Sequence, residues 1–424
     1  MPAKGADGSL MDPLKLAFFT TFYPPYHFGG DAIGIERLVK ALARRNCEIA
    51  VIHNVDAFRT LNGPEPKAIA PADDNIRIVK LESGAPAIST LLTHQLGHPA
   101  LYERMIDRTL AEGGFDVIWH NNASLVGAPA VFKKGDALKV YEAHEHWLVC
   151  PTHVLWRYGR ERCDERKCLS CTLSYKRPPQ LWRVTGAFEN GLKEIDLFIA
   201  KSEFSREKHA EFGFQRPLSV IPYFLPDAPM RNSKTPRPQD RPYFLFVGRL
   251  EKIKGLQDVF PAFEKFDGAD LIVVGAGEYE DELKALAAGN PRIKFTGRLA
   301  PDDIAQYYEH AEALIVPSLC YETFGIIIIE AFRQGTPVIA RRLGPFPEII
   351  DAAGGGLMFE TGEELEKALA EIAASPQRRA ELSSNARRGF ERYWREDVVI
   401  DRYFEALRKA AAGRGDARLL NKLE

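Results

Sequence analysis

Chemistry is most legible between Ser318 and Ile350, in SLCYETFGIIIIEAFRQGTPVIARRLGPFPEII. By periodicity, the apolar run Ile326 to Ile329, with Ala331 and Phe332, fits a buried strand or a buried helix equally well. Gly335 and Pro337 separate the two: a glycine after Gln334 suits a helix C-terminal cap, and Pro337 then opens a strand, PVIA. The stretch reads as loop, helix, tight turn, strand. Such a helix turns the free amides of Thr323 to Ile327, with Phe324 and Gly325 between them, outward. Together with the helix dipole they favour an anion, most often phosphate. Glu330 lies about a turn and a half inside the helix, where its carboxylate repels phosphate but accepts paired hydroxyls. An anion at the helix start with a diol beside it describes a nucleotide ribose.

Other candidates stand at the carboxyl ends of predicted strands, where ligands of open α/β sheets collect. Phe28-Gly29-Gly30-Asp31 follows the first strand and precedes an amphipathic helix. Adjacent glycines let a backbone approach a ligand and present its amides, although a plain tight turn has the same signature. Val247-Gly248-Arg249-Leu250 ends a later strand, and Lys254 follows. Two cations there suit a diphosphate, Arg as a planar fork and Lys as a point charge, with a solvated basic face as the plainer reading. FDVIWH brings His120 to a strand end, where a lone histidine is more often structural than catalytic. His144, in YEAHEHW, ends the next strand and faces the same cleft. Glu145 beside it is an acid/base candidate or orients a neighbour.

The elements that must position these residues come from the rest of the chain. Its 424 residues exceed one comfortable core, which predicts two or three domains. From Leu14, short apolar runs alternate with amphipathic segments: LKLAFFTTF, IGIERLVKALARR, EIAVIH, later FDVIWH, LKVYEAH, DLFIA and LSVIP. A second series starts at PYFLFVG and passes through DLIVVGAG, RIKFTG and EALIVPS to the stretch around Glu330. Such alternation marks parallel sheets covered by helices on both faces, so the fold class is α/β with two doubly wound, Rossmann-like domains. The expected boundaries are a disordered tail over 1–13, a first domain over 14–227, a Pro-rich polar linker over 228–242, and a second domain over 243–395. A C-terminal helical segment follows over 396–424, and Trp394, Val398, Tyr403 and Leu407 are predicted to share one helix face.

Composition narrows the function classes. Lys+Arg 56 against Asp+Glu 58 leaves a net charge of −2, so nothing global argues for nucleic acid as a partner. No apolar run approaches the roughly 20 residues that span a bilayer, and the first residues lack the apolar centre of a signal peptide. Six cysteines without such a signal argue against a disulfide framework and for a reducing cytoplasm. Four of them, Cys150, Cys163, Cys168 and Cys171, crowd an insertion over 150–180. They fit a closed structural Zn2+ site, the favoured reading, while the spacing of the last three also fits an iron–sulfur cluster, with free or disulfide-linked cysteines as the third reading. The same window carries Trp156, Tyr158 and Tyr175 among Arg157, Arg160, Arg162 and Lys167. These shape an acceptor site, touch an anionic membrane surface, or simply pack as a loop.

The pattern Glu322, Phe324-Gly325, Glu330-Ala331, Gly335, Pro337-Val338 and Gly344 to Glu348 resembles the signature of retaining glycosyltransferases with the GT-B fold, the glycogen-synthase and sucrose-synthase-like group. The resemblance implies two domains facing a central cleft, the second holding a UDP- or GDP-sugar donor and the first most of the acceptor, with the C-terminal segment crossing back. It assigns Gly29 and Gly30 to the donor phosphates, Arg249 and Lys254 in GRLEKIKG to the diphosphate, and His120 to the donor sugar near the reaction centre. Glu322 falls to the sugar hydroxyls or to the positive charge that builds on the anomeric carbon, and Glu330 to the ribose hydroxyls. No divalent metal is implied in catalysis, since cationic side chains and amides replace it. Two departures stand out. Tyr223-Phe224-Leu225-Pro226 follows LSVIP where the family has Asn-Gly, and Gly344-Pro345-Phe346 replaces Gly-Gly-Val.

The expected activity is sugar transfer with retention to a glycan, a lipid-linked glycan or a small molecule, in the cytoplasm or peripherally at the inner face of the membrane. Two other expectations compete with it. One is a nucleotide-sugar epimerase or isomerase on the same fold, which needs no acceptor, and the other is a non-catalytic sensor of sugar nucleotide or metal.

Overall fold

The computed structural model describes residues 12–61, 63, 65–66, 73–226 and 236–424, so residues 1–11 of the expected tail and 228–235 of the expected linker lie outside the described residues. In chain order the first strands are β1 (Leu14–Thr20), β2 (Cys47–Asn54), β3 (Ile76–Leu81), β4 (Val117–His120) and β5 (Leu138–Ala143). A two-stranded hairpin, β6 (Trp156–Arg157) and β7 (Glu161–Arg162), precedes β8 (Leu197–Ala200) and β9 (Leu218–Val220). Then come β10 (Tyr243–Val247), β11 (Asp270–Val274), β12 (Ile293–Gly297), β13 (Leu314–Val316), β14 (Val338–Arg341) and β15 (Gly356–Phe359).

Two parallel sheets result, ordered β3-β2-β1-β4-β5-β8-β9 and β12-β11-β10-β13-β14-β15. β1, LKLAFFT, is apolar almost throughout because it runs mid-sheet with packed layers on both faces: Ala17 and Phe19 belong to one core, Leu16 and Phe18 to the other. β10, YFLFV, is divided between two cores in the same way. In each sheet the order reverses beside its first strand, between β1 and β4 and between β10 and β13. Loops leaving neighbouring strands at such a switch point diverge and open a crevice beyond the carboxyl ends.

The chain crosses between the sheets twice, and the crossings run side by side: the Leu225 amide donates to the Trp394 carbonyl at 3.1 Å. The helix Glu396–Arg414 then lies on the first sheet, with Val399, Ile400, Tyr403 and Leu407 in its core. The single face expected from Trp394 to Leu407 needs correction. The helix Pro376–Tyr393 ends at Trp394, which packs in the second domain, and the chain restarts its helical phase at Glu396. Val399 and Ile400 are therefore buried where Val398 was expected. Among the described residues no helix is long and apolar enough to cross a membrane.

Candidate functional site

Loops from both switch points meet between the sheets. On the first domain, Gly29 caps the helix Gly30–Arg44 in an extended conformation. A Cβ added at Gly30 would meet nothing within 4 Å, so the protein's own packing does not require glycine there. An open backbone at a helix start leaves room for a ligand to approach. On the second domain, Arg249 and Lys254 follow β10, and Ser318 to Gly325 link β13 to the helix Ile326–Arg333. That helix ends at Gln334, and Gly335 takes the left-handed conformation, φ 72°, that turns the chain into β14.

Lys254 Nζ donates to Glu322 Oε1 at 2.6 Å, and Ser318 Oγ donates to the same oxygen at 3.0 Å. Burial works against both charges, but each stabilises the other: the Glu322 carboxyl is held below its usual range and the Lys254 ammonium above its own. An ammonium has three protons, so Lys254 keeps donors for a second partner. Arg249 pairs with Glu251 and is 58% exposed, with donors left facing solvent. Close packing sets this loop. Gly255 is left-handed at φ 72°, and a Cβ there would lie 2.1 Å from the Pro317 carbonyl oxygen on the strand-end loop that carries Glu322.

Glu330 sits on the next helix with two partners, Arg37 at 3.3 Å from the first domain and the Tyr308 hydroxyl, which donates at 3.2 Å. Thr323 is engaged by the first domain as well: its hydroxyl donates to the His144 carbonyl at 2.9 Å, and its own carbonyl accepts from Ser202 Oγ at 2.7 Å. Phe324 is buried against the Tyr223 ring, 5.7 Å between centroids. Gly325 caps the helix beside Phe346. The Glu348 carboxylate accepts the amides of Glu203 and Phe204 at 3.3 and 3.1 Å, across the domain boundary. The central loop and both of its flanks are thus fastened to the opposite domain.

The two histidines differ. His120 is fully buried, stacked on Phe19 and edge-on to Phe132, and neither ring nitrogen has a hydrogen-bond partner among the described residues. Burial pushes it down to about 3, which keeps the ring neutral, and its two ring partners belong to the first domain's core. Asn121, one residue on, points the other way and meets His144. His144 Nε2 donates to Asn121 Oδ1 at 3.0 Å and Nδ1 accepts from the Tyr223 hydroxyl at 2.5 Å, with the ring pushed down to about 4 mainly by burial. Beneath it lies a buried network that sequence reasoning missed. Glu142 binds Lys201, Tyr403 and the Trp119 indole, and the Lys201 ammonium lies 4.6 Å from the Tyr223 ring centroid. A carboxylate inside the apolar strand LKVYEA and a lysine closing DLFIAK were its only signals. Tyr223, the departure after LSVIP, supplies the domain contact. Glu145 is paired with His153 at 2.5 Å, an orienting arrangement.

Arg37, Ser318 and Tyr308 were also missed, each lying on an ordinary amphipathic or strand-end segment. The four clustered cysteines line one small cavity, and among the described residues no three of them stand close enough to hold a metal ion as placed. Burial and the three neighbouring thiols push Cys163 up to about 11.

The sequence profile of group 1 glycosyl transferases matches residues 230–389, and that of glycosyltransferase family 4 matches residues 28–226. The two profiles match successive parts of the chain, each over less than half of it, and the paired parallel sheets have the arrangement of the GT-B fold. A sulfoquinovosyl transferase of Arabidopsis thaliana is 34% identical to this chain over 29% of its length, covering 24% of the plant protein. A GDP-mannose-dependent phosphatidylinositol monomannoside mannosyltransferase of Mycobacterium tuberculosis is 27% identical over 52% of the chain, covering 63% of that protein. The chain thus spans less than two thirds of the length of either relative. Among solved structures, a sucrose-phosphate synthase of Thermosynechococcus elongatus aligns over 94% of this chain and 100% of its own, with a TM-score of 0.73 at 20% identity. HepE of Anabaena in complex with UDP covers 93% of this chain and 100% of its own at a TM-score of 0.67 and 20% identity. These two likenesses establish the fold.

Proposed function

We propose that the chain transfers a sugar from a UDP- or GDP-sugar to an acceptor, with retention at the anomeric carbon. The observation that carries the reading is the Lys254–Glu322 pair at the second switch point. It is a supported carboxylate beside an ammonium with donors to spare, on the loop that leads into the helix Ile326–Arg333. In this reading Lys254, Arg249 and the amides at Thr323 to Gly325 hold the diphosphate as it leaves, and no divalent ion is needed for that task. Glu322 offsets the positive charge on the anomeric carbon, and Glu330 takes the ribose hydroxyls, displacing Arg37 from one oxygen. His144, neutral and fixed by Asn121 and Tyr223, forms the acceptor-side wall. His120 supports that wall from the core. Retention rests on the resemblance in the stretch from Glu322 to Glu348. Nucleotide preference is open between the UDP of the HepE complex and the GDP-mannose of the mycobacterial relative.

The test has two stages. Thermal shift with nucleoside diphosphates identifies the base, and a donor screen with that base then measures nucleoside diphosphate release. Release that requires an added acceptor, with product of unchanged anomeric configuration by NMR, supports the reading. Conversion of the donor into an isomeric nucleotide sugar without acceptor and without net release of nucleoside diphosphate indicates an epimerase or isomerase, and binding without turnover indicates a sensor.

The acceptor we propose is lipid-linked and reached from an anionic membrane surface. Ile88, Leu91, Leu92 and Leu96 line one exposed side of the helix Pro86–Leu96, with Leu101 and Met105 exposed just beyond it. Val184, 86% exposed, lies on the turn whose Trp182 indole donates to the His94 carbonyl of that helix. Exposed Arg104, Lys176 and Arg177 supply the charge that anionic headgroups attract. Co-sedimentation with anionic vesicles at low salt, reduced by Leu91→Glu and Leu96→Glu, is the expected result. No sedimentation of the parent protein defeats the idea.

A further inference from the structure

The insertion after β5 has almost no core of its own. From Cys150 to Lys176 it consists of the β6–β7 hairpin and the seven-residue helix Cys168–Ser174, and the Leu169 and Leu173 side chains of that helix are exposed. Four non-glycine residues in it hold left-handed backbone conformations: His153 at φ 77°, Leu155 at 48°, Tyr158 at 56° and Lys176 at 54°. Bulky residues keep such angles only where the surroundings over-determine them. Leu155 is held by the first domain's core, but His153, Tyr158 and Lys176 lie on short elements with little buried core, and small segments of this kind are usually stapled.

The four cysteines are placed to be the staple. Cys150 comes from the loop after β5, Cys163 from the end of the hairpin, and Cys168 and Cys171 from successive positions on one side of the short helix. All four are free thiols, and all four line the same cavity. The Cys163 amide donates to the Leu155 carbonyl at 2.8 Å, and the Tyr158 amide donates into the Cys171 sulfur at 3.4 Å, a contact that a metal-bound thiolate strengthens. Arg157 and Lys167 line the same cavity and would offset the negative charge of four thiolates around a divalent ion.

The donor set and the space choose the ion. Four sulfurs exclude calcium and magnesium, which take oxygen, and leave zinc or an iron–sulfur cluster. The space between the four sulfurs is small, about 20 Å³, so a single ion asks for less rearrangement of the insertion than a cluster of several irons and sulfides does. Among the described residues no three His, Cys, Asp or Glu side chains stand in a ligand arrangement, so the ion has to draw the sulfurs inward. We propose that Cys150, Cys163, Cys168 and Cys171 bind one Zn2+ as thiolates, and that the ion staples the insertion against the loop bearing Glu322. The link to that loop is Arg162, next to Cys163, whose guanidinium lies 5.9 Å from the Tyr321 ring centroid, and Tyr321 precedes Glu322.

The test needs neither donor nor acceptor. The full chain, purified without chelator, should carry one zinc per chain by elemental analysis, released when a mercurial titrates the thiols and absent from the Cys163→Ser, Cys168→Ser double variant. Should that variant fail to fold, the parent protein exchanged into cobalt should show thiolate charge-transfer bands and the intense visible bands of a tetrahedral site. Protein that takes up neither zinc nor cobalt, that carries iron with sulfide, or that loses two thiols to a disulfide overturns the proposal.

Discussion

At the scale of single residues, the site turns on the partnership of Lys254 and Glu322. Removing one donor or charge aimed at a developing transition-state charge costs about 10²–10³ in rate. Glu322→Ala is therefore expected to lower kcat by roughly that factor while donor affinity, by calorimetry, changes little. Equal losses in affinity and rate would mean that Glu322 only holds the donor. The pH dependence follows from the directions of the two shifts. Glu322 is held below its ordinary value, so its contribution is in place above the ordinary carboxylate range and is lost as pH falls through the depressed value. Lys254 is raised, so its contribution is in place below the ordinary lysine range and is lost as pH rises through the raised value. A flat kcat/KM between those limits is expected, and Lys254→Met should move the acid limb up toward the ordinary carboxylate range. His144, pushed down to about 4, should add no inflection near neutrality. An NMR titration of its ring near the ordinary histidine value would contradict this.

At the scale of elements, two glycines in strand-end loops make opposite predictions. Gly255→Ala forces a left-handed alanine against the Pro317 carbonyl and should cost about 1–3 kcal/mol in chemical denaturation. Gly30→Ala meets nothing within 4 Å, so stability should stay within about 0.5 kcal/mol while nucleotide affinity falls. Unchanged affinity would leave that loop with no role in binding. The same contrast shows what the sequence made legible. Gly335 and Pro337 punctuate the helix and β14 by their backbone needs alone, and the alternation of apolar runs located both sheets, because these signals are local. His120 and Asn121 share a strand end, and which of them faces the crevice depends on β1 and β5 on either side, which no local pattern encodes. Arg37 and Glu330 are far apart in the chain and meet only because the domains close. The Trp394 face failed for a related reason: a two-residue break resets helical phase without any glycine or proline to mark it.

At the scale of the whole molecule, the two domains are joined by an apolar contact around Tyr223 and Phe324 and, on either side of it, by a few specific polar contacts. Glu348 accepting two amides from the start of the helix Glu203–Glu211, Thr323 between His144 and Ser202, and Arg37 on Glu330 hold the crevice walls together. A ligand that binds between two bodies feels only the fraction of molecules in which they are closed, so weakening a latch scales its apparent affinity by that fraction. Glu348→Ala removes two hydrogen bonds, each with a net value of about 0.5–1.5 kcal/mol, without touching Lys254, Glu322 or Glu330. The variant is expected to show a larger radius of gyration in solution scattering without ligand and a raised donor KM. Its kcat should be recovered at saturating donor, because binding energy then closes the crevice. If kcat stays low at saturation, Glu348 acts on the chemistry and not on closure. If neither scattering nor KM moves, the contacts seen between the domains are not what holds them together.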